Sequence, residues 1–262
     1  MSDPNPTPRF SLKGRNAVVV GATSGIGKSI ALALAEAGAN VVPTGRRADL
    51  CDEVAGMIRA RGSASLSQPV DVSDRASIAA LSDAVFRRFD QVHILVNCAG
   101  RTRRTPTLQV TDEEWNAIFD TNVTGALRCC QIFGSHMIER GYGRIINIAS
   151  LSTFVALFEV AAYSASKAAI ASLTKSLAIE WARHGICVNA IAPGVVRTDL
   201  NQQLLDETPR GQEFLLRTPV ARFGTTDEIA SAAVFLALDS SSFVNGVILP
   251  VDGGFLASGV NQ

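Results

Sequence analysis

The chain of 262 residues is 47% hydrophobic and 18% charged, with 21 glycines, which suits one large α/β domain or two small ones around a large apolar core. Lysine plus arginine and aspartate plus glutamate both number 24, so the net charge is zero; no basic footprint argues for nucleic acid, and no polybasic or amphipathic run argues for a membrane surface. The five cysteines, at 51, 98, 129, 130 and 187, are odd in number and lack metal-site spacing, so no metal is expected and they read as reduced, packed thiols of a cytoplasmic protein.

In chain order, "MSDPNPTPRF" has three prolines and no apolar core, so residues 1–11 are expected to form a flexible tail, neither signal peptide nor spanning helix. Strands are predicted at "NAVVV" (16–20), "NVV" (40–42), "ASLSQPV" (64–70), "HILVN" (93–97), "RIINI" (144–148), "ICVNAIA" (186–192) and "GVILP" (246–250). Helices are predicted near 26–37, 47–60, 74–89, 112–139, 160–183 and 226–238. Strands alternating with helices imply βαβ units, hence a parallel sheet with helices on both faces. No Pro/Gly/Ser-rich linker interrupts the series, so residues 12–262 read as one domain. Pro43 has no N–H to give a neighbouring strand, and is expected to mark where pairing stops.

The stretch "VVVGATSGIGKSIALALAEAGANVV" is a strand, a glycine-rich turn and an amphipathic helix. Gly21, Gly25 and Gly27 permit a tight turn and leave helix N–H groups facing outward, a phosphate-binding arrangement. Glycines also simply end strands, but here a strand precedes and a helix follows, which is the context the functional reading needs. Further on, "YSASK" (163–167) sets a tyrosine and a lysine four apart, one turn apart on one helical face. A free phenol, with a pKa of about 10, is a poor base at neutral pH. A cation about 4 Å away, at an effective dielectric near 20, favours a phenolate by roughly 4 kcal/mol. The pair therefore suits proton exchange, or is a surface lysine lying over a ring.

With "GATSGIG", "NCAG" (97–100), "TNVTG" (121–125), "IAS" ending at Ser150, "YSASK", "PGVVRT" (193–198) and "VDGG" (251–254) in this order, the chain resembles the short-chain dehydrogenase/reductase family from about Leu12 to Leu256. The resemblance implies a single-domain Rossmann fold with a doubly wound, seven-stranded parallel sheet. It implies an oxidoreductase moving a hydride between a nicotinamide cofactor and a small carbonyl or secondary alcohol, with Asn122, Ser150, Tyr163 and Lys167 as the catalytic set. In that set Tyr163 exchanges the proton, Lys167 assists it and holds the nicotinamide ribose, Ser150 binds the substrate oxygen and Asn122 binds a water. Gly21, Ser24, Gly25, Ile26 and Gly27 would hold the cofactor phosphates, and Asp71 and Val72 would flank the adenine. Asn97, Ala99 and Gly100 would line the ribose beside Tyr163 and Lys167, while Pro193, Gly194, Val196 and Thr198 would complete the set, the last two facing the carboxamide. Two residues depart from the family pattern: Val20 stands where a threonine usual before the first glycine would be, and Cys98 replaces an amide.

At the end of the second strand an acid would select NAD and an arginine would accept the 2′-phosphate of NADP. Gly45 takes the acid's place and Arg46 and Arg47 follow, so NADP is expected over NAD. The loop "RTRRTPT" (101–107), with Arg101, Arg103 and Arg104, and the stretches 217–224 and 241–256 resemble the sugar-acid branch, the gluconate 5-dehydrogenases and 2-deoxy-D-gluconate 3-dehydrogenases. A substrate carboxylate suits Arg103 and Arg104, with Ser150 and Tyr163 at the carbonyl; a basic surface loop or subunit contact is the other reading. The alternatives in function are a 3-oxoacyl-[acyl-carrier-protein] reductase and a cofactor-binding protein without catalysis, the latter expected to have lost one of Ser150, Tyr163 or Lys167. Residues 199–225 are expected to form a mobile lid. The family also implies a homotetramer packed through the helices near 112–139 and 160–183 and the last strand.

Overall fold

In β1 (Asn16–Val20), Ala17 and Val19 point to one side of the strand and Val18 and Val20 to the other, and all four are buried. A strand apolar on both faces has to be covered on both. The computed structural model describes residues 10–198, 201–206 and 208–260, so most of the expected tail lies outside the described residues, as do positions 199, 200 and 207 of the expected lid. After β1 come α1 (Gly25–Glu36), β2 (Asn40–Thr44), α2 (Ala48–Ala60), α3 (Arg75–Arg88), β3 (Ile94–Asn97), α4 (Asp112–Phe119) and α5 (Gly125–Arg140). Then follow β4 (Gly143–Ile148), α6 (Ala161–Trp181), β5 (Ile186–Pro193), α7 (Gln202–Leu205), α8 (Pro209–Arg217), α9 (Thr226–Ala237) and β6 (Ile248–Val251).

The strands form one parallel sheet in the order β2-β1-β3-β4-β5-β6. Ile30 and Leu34 of α1, Val54 and Ile58 of α2, and Ile229 and Leu236 of α9 cover the Ala17 and Val19 face. The opposite face is covered by Ile78, Leu81 and Val85 of α3, Phe133 and Met137 of α5, and Leu177 of α6. Each such side chain stabilises the fold by roughly 1.5–3 kcal/mol.

The sheet has six strands, not the seven expected. Residues 64–70 do run beside β2, but they make no ladder with it. Val41 N–H donates to Ala64 O at 3.0 Å, and Val70 N–H donates to Gly45 O at 2.9 Å. Between those two contacts the outward-facing nitrogen of β2 belongs to Pro43, which has no hydrogen to give. Four residues of β2 are therefore spanned by six of its neighbour, and regular register is lost. Side chains take over instead: Ser65 Oγ donates to Val41 O, and Thr44 Oγ1 donates to Gln68 O.

The helix expected over 112–139 is likewise interrupted, by a π-helical turn at Asp120–Thr124 that carries Asn122. Such turns are rare and concentrate at functional sites. β1 lies between β2 and β3, so the chain winds in opposite directions from it. The crevice at the carboxyl ends of the strands opens at this reversal, beside residues 21–25. Among the described residues no helix is long and apolar enough to cross a membrane, and no cluster of three His, Cys, Asp or Glu side chains could hold a metal.

Candidate active site

The glycine turn is built for a large guest. Gly21 has φ +86°, and a Cβ there would lie 2.5 Å from Ala99 N; a Cβ on Gly27 would lie 2.1 Å from Gly21 O. Gly25 has φ +53°, and a Cβ there would lie 3.7 Å from the Thr198 methyl. Main chain ties the turn to β2, the N–H groups of Gly21 and Ala22 both donating to Thr44 O, at 2.8 and 2.9 Å, while the Val20 side chain is buried in the core. Ser24 caps α1 without a side-chain hydrogen bond, and no acid stands in the first turn. By contrast Asp74, Thr111 and Thr225 each accept a main-chain N–H at the start of α3, α4 and α9. The first donors of α1, including Ile26 and Gly27, therefore point at the crevice with their positive dipole end unsatisfied by side chains, as a pyrophosphate requires.

At the end of β2, a Cβ on Gly45 would meet the Thr23 methyl at 2.9 Å, so the turn itself occupies the space an acidic side chain would need. Arg47 reaches back over the turn and donates to Thr23 Oγ1 at 3.2 Å. Exposed Arg46 stands near Asp71. Hydrogen bonds from the Ser73 hydroxyl and N–H, and then the Arg46 charge, hold Asp71 below the usual carboxylate range against its partial burial. Val72 packs on Gly125, where an added Cβ would lie 2.8 Å away. Two guanidinium groups, with Gly45 in place of the acid that would select NAD, fit a 2′-phosphate.

The third wall comes from the ends of β3, β4 and β5. Asn97 is buried, donating to Asn147 Oδ1 at 2.9 Å and to Cys130 Sγ at 3.3 Å. Cys98 is half-buried; burial pushes its thiol up to about 11 against the pull of Lys167, so it offers no thiolate at neutral pH. Ala99 lies on Gly21, and Gly100 faces Asn122 Oδ1 and Lys167 Nζ, which would lie 3.5 and 3.6 Å from a Cβ there. Pro193 ends β5, and Gly194 is pressed against Asp252. Val196 is buried and bridges to Gly224, which closes the base of the segment bearing α7 and α8.

Tyr163 and Lys167 stand one turn apart on α6, with Lys167 Nζ 5.6 Å from the centre of the Tyr163 ring. Lys167 is buried and donates to Ile148 O at 2.7 Å, leaving two ammonium hydrogens for the crevice. Ser150, buried at the end of β4, accepts from Ser152 N–H at 3.1 Å, and its own hydrogen stays available to donate. Asn122 is almost fully committed: Nδ2 donates to Arg101 O and to Ser166 Oγ, and Oδ1 accepts from Arg101 N–H. Any water bound there must use its main-chain carbonyl or the remaining Oδ1 lone pair. The sequence reading missed Ser166, which joins Asn122 to the Tyr163 carbonyl at 2.7 Å. It lies inside "YSASK", but the spacing says nothing about which neighbour its hydroxyl meets.

Asn122 from the π-turn, Ser150 after β4, and Tyr163 and Lys167 of α6 are thus gathered at the carboxyl ends of β3 and β4, with Gly100 beside Asn122 and Lys167. The sequence profile of the family described as enoyl-(acyl carrier protein) reductase matches residues 21–256, nine-tenths of the chain. The chain belongs to the short-chain dehydrogenase/reductase family. It is 42% identical over 250 residues to the 2-dehydro-3-deoxy-D-gluconate 5-dehydrogenase of Bacillus subtilis, covering 95% of this chain and 97% of that one. It is 40% identical over 246 residues to the D-threitol dehydrogenase of Mycolicibacterium smegmatis, covering 94% of each. Among solved structures, a gluconate 5-dehydrogenase from Burkholderia cenocepacia in complex with NADP and tartrate is 39% identical and superposes with a TM-score of 0.91, covering 96% of this chain and 98% of that one.

Within this family member the expected substrate arginines already have carboxylate neighbours. Arg103 Nε lies 3.4 Å from Glu114 Oε2, and Arg104 Nε donates to Glu159 Oε2 at 2.7 Å. Glu114 also accepts from Thr105 Oγ1, and Thr105 N–H donates to Glu159 O, so loop 101–105 is sewn both to α4 and to the segment before α6.

Proposed function

We propose that this chain is an NADP-dependent oxidoreductase that interconverts a secondary alcohol and a ketone on a sugar acid of the gluconate class. The observation that carries the reading is the joining of a ribose corner with two arginines and Gly45 in the acid's place to the Ser150, Tyr163 and Lys167 set, in a chain similar over 95% of its length to gluconate dehydrogenases. When bound, NADP supplies or accepts the hydride. Gly21, Ser24, Gly25, Ile26 and Gly27 hold its phosphates, Arg46 and Arg47 its 2′-phosphate, Asp71 and Val72 its adenine, and Asn97, Ala99, Gly100, Pro193, Gly194, Val196 and Thr198 its nicotinamide side.

Ser150 donates to the substrate oxygen and shares its developing charge. Tyr163 transfers the proton at that oxygen, and the Lys167 ammonium stabilises the negative charge that builds on the phenol oxygen as the proton leaves. Asn122 fixes the backbone at Arg101 and, through Ser166, the first turn of α6, which keeps this set in register. We read residues 12–262 as one cofactor-binding and catalytic unit in a cytoplasmic homotetramer. Exposed Ile179 on α6, the stacked Trp115 and Phe119 of α4, and the open edge of β6 support that assembly.

The test is a panel of a keto-gluconate, a neutral keto-sugar and a 3-oxoacyl thioester, each with NADPH and NADH. The keto-gluconate with NADPH should give the highest kcat/KM, and Arg46→Ala with Arg47→Ala should cut the NADPH value at least tenfold while leaving NADH nearly unchanged. A thioester turned over faster than either sugar would instead favour the acyl-carrier reductase.

A further inference from the structure

Beyond the arginines of loop 101–107, a further guanidinium stands beside Arg104 and Glu159. Arg210 lies at the start of α8, in the segment between the bridged Val196 and Gly224, with Thr208 capping the helix by accepting from Gly211 N–H at 3.0 Å. Its Nη1 donates to Phe158 O at 3.3 Å, which ties α8 to the segment leading into α6. Its Nε is buried and has no hydrogen-bond partner among the described residues. On a guanidinium, Nε and the nitrogen on its side form the edge that takes a carboxylate with two parallel hydrogen bonds. Nη1, the nitrogen on the other side, is the one engaged, so it is the carboxylate edge that stays unused.

The charges around it point the same way. Burial and the neighbouring Arg104 disfavour the Arg210 charge, while Glu159 and Glu213 favour it. Glu213 is already paired with Arg217 at 3.1 Å, and Glu159 with Arg104 at 2.7 Å. Arg104, Arg210 and Glu159 together carry one net positive charge on a half-covered surface. Glu159 itself has φ +61°, a conformation uncommon for a residue with a side chain, and Thr105 N–H holds its carbonyl at 2.8 Å. It stands four residues before Tyr163, just ahead of Ala161, the first residue of α6.

We propose that Arg210 is the specificity-determining contact for the substrate carboxylate, closing over it from α8 while Glu159 fixes Arg104 opposite. The inference rests on the sugar-acid reading above and adds to it the residue that recognises the acid. Recognition from α8 couples substrate charge to the position of the covering segment, which loop 101–107 alone would not do.

The experiment compares wild type, Arg210→Gln and Arg210→Lys as full chains with saturating NADPH, on a keto-gluconate and on a neutral ketohexose. In Arg210→Gln the KM for the acid should rise ten- to a hundredfold with kcat changed less than threefold, and kcat/KM for the neutral sugar should stay within twofold. Arg210→Lys should recover part of the loss, because it restores the charge without the two-pronged edge. NADPH binding followed by fluorescence should be the same in all three, which separates a lost contact from a misfolded chain. A wild type that prefers the acid, with that preference intact in Arg210→Gln or with both substrates weakened equally, overturns this inference and leaves the sugar-acid reading standing. A wild type with no preference for the acid overturns both.

Discussion

Lys167 illustrates how single side chains are positioned here. A buried ammonium is costly unless hydrogen-bonded, and the Ile148 carbonyl at 2.7 Å meets that need while aiming the charge across the Tyr163 ring. Removing the Tyr163 hydroxyl alone keeps the ring in contact with that cation and removes the proton donor. Tyr163→Phe should therefore keep the fold and NADPH affinity and lose roughly 10²- to 10⁴-fold in kcat. Steady-state kinetics and a cofactor titration check this; activity within tenfold of wild type, under roughly 1.4 kcal/mol in barrier, would sink the assignment. The four residues of this set could be named from motif order. Their partners could not, because Ser166, Arg101 and Ile148 are brought to them by packing and carry no motif of their own.

Among the elements, the turn between β1 and α1 sets the strictest demand. A methyl on Gly27 would sit 2.1 Å from the Gly21 carbonyl, a backbone atom that cannot rotate away. A methyl on Gly25 would make only an ordinary contact with the Thr198 methyl but must adopt φ +53°, at a cost of roughly 1–2 kcal/mol. Gly27→Ala should thus push α1 off the turn and weaken NADPH binding by more than a hundredfold, whereas Gly25→Ala should weaken it by about tenfold. Fluorescence titration of NADPH gives both constants, and equal effects would mean that the turn relaxes freely. The same element view explains the missing seventh strand. Apolar alternation in 64–70 predicts a strand, but none forms there: a ladder needs donors from the partner, and Pro43 removes one. Likewise nothing in the composition of Asp120–Thr124 marks the π-turn that interrupts the helix expected over 112–139.

On the scale of the whole molecule, the crevice is held from the opposite end of the sheet. Asp239, just after α9, accepts from Arg15 at 2.6 Å and from the Tyr142 hydroxyl at 2.7 Å, and Arg15 and Arg144 lie over the Tyr142 ring at 4.2 and 4.6 Å. His93, buried against the edge of Tyr142, accepts Asn16 N–H through Nδ1 at 3.0 Å, joining the starts of β1 and β3. Burial, and then Arg15, push His93 down to about 4 from 6.5 against the pull of Asp239. The unfolded chain binds this proton first as the pH falls, so the contribution is complete above about 6.5, declines between 6.5 and 4, and falls no further below. His93→Gln, whose amide oxygen can take the same N–H, should flatten the fall of Tm between pH 6.5 and 4 while leaving Tm at pH 7.5 and the activity nearly unchanged. Thermal scans across that range check it, and parallel slopes in both proteins would remove His93 from the account.

Taken by itself, the sequence determined the parallel α/β architecture, the glycine cradle and the tyrosine–lysine pair. These rest on periods of two and 3.6 residues, on positive φ and on one helical turn, all properties of neighbours along the chain. The tertiary structure alone decided three things: how many strands pair, which hydroxyls and carbonyls hold Asn122 and Lys167, and which carboxylates face Arg103, Arg104 and Arg210. Each depends on groups far apart in sequence, such as Arg104 with Glu159 or Arg210 with Phe158, competing for a limited number of donors and acceptors once water is removed.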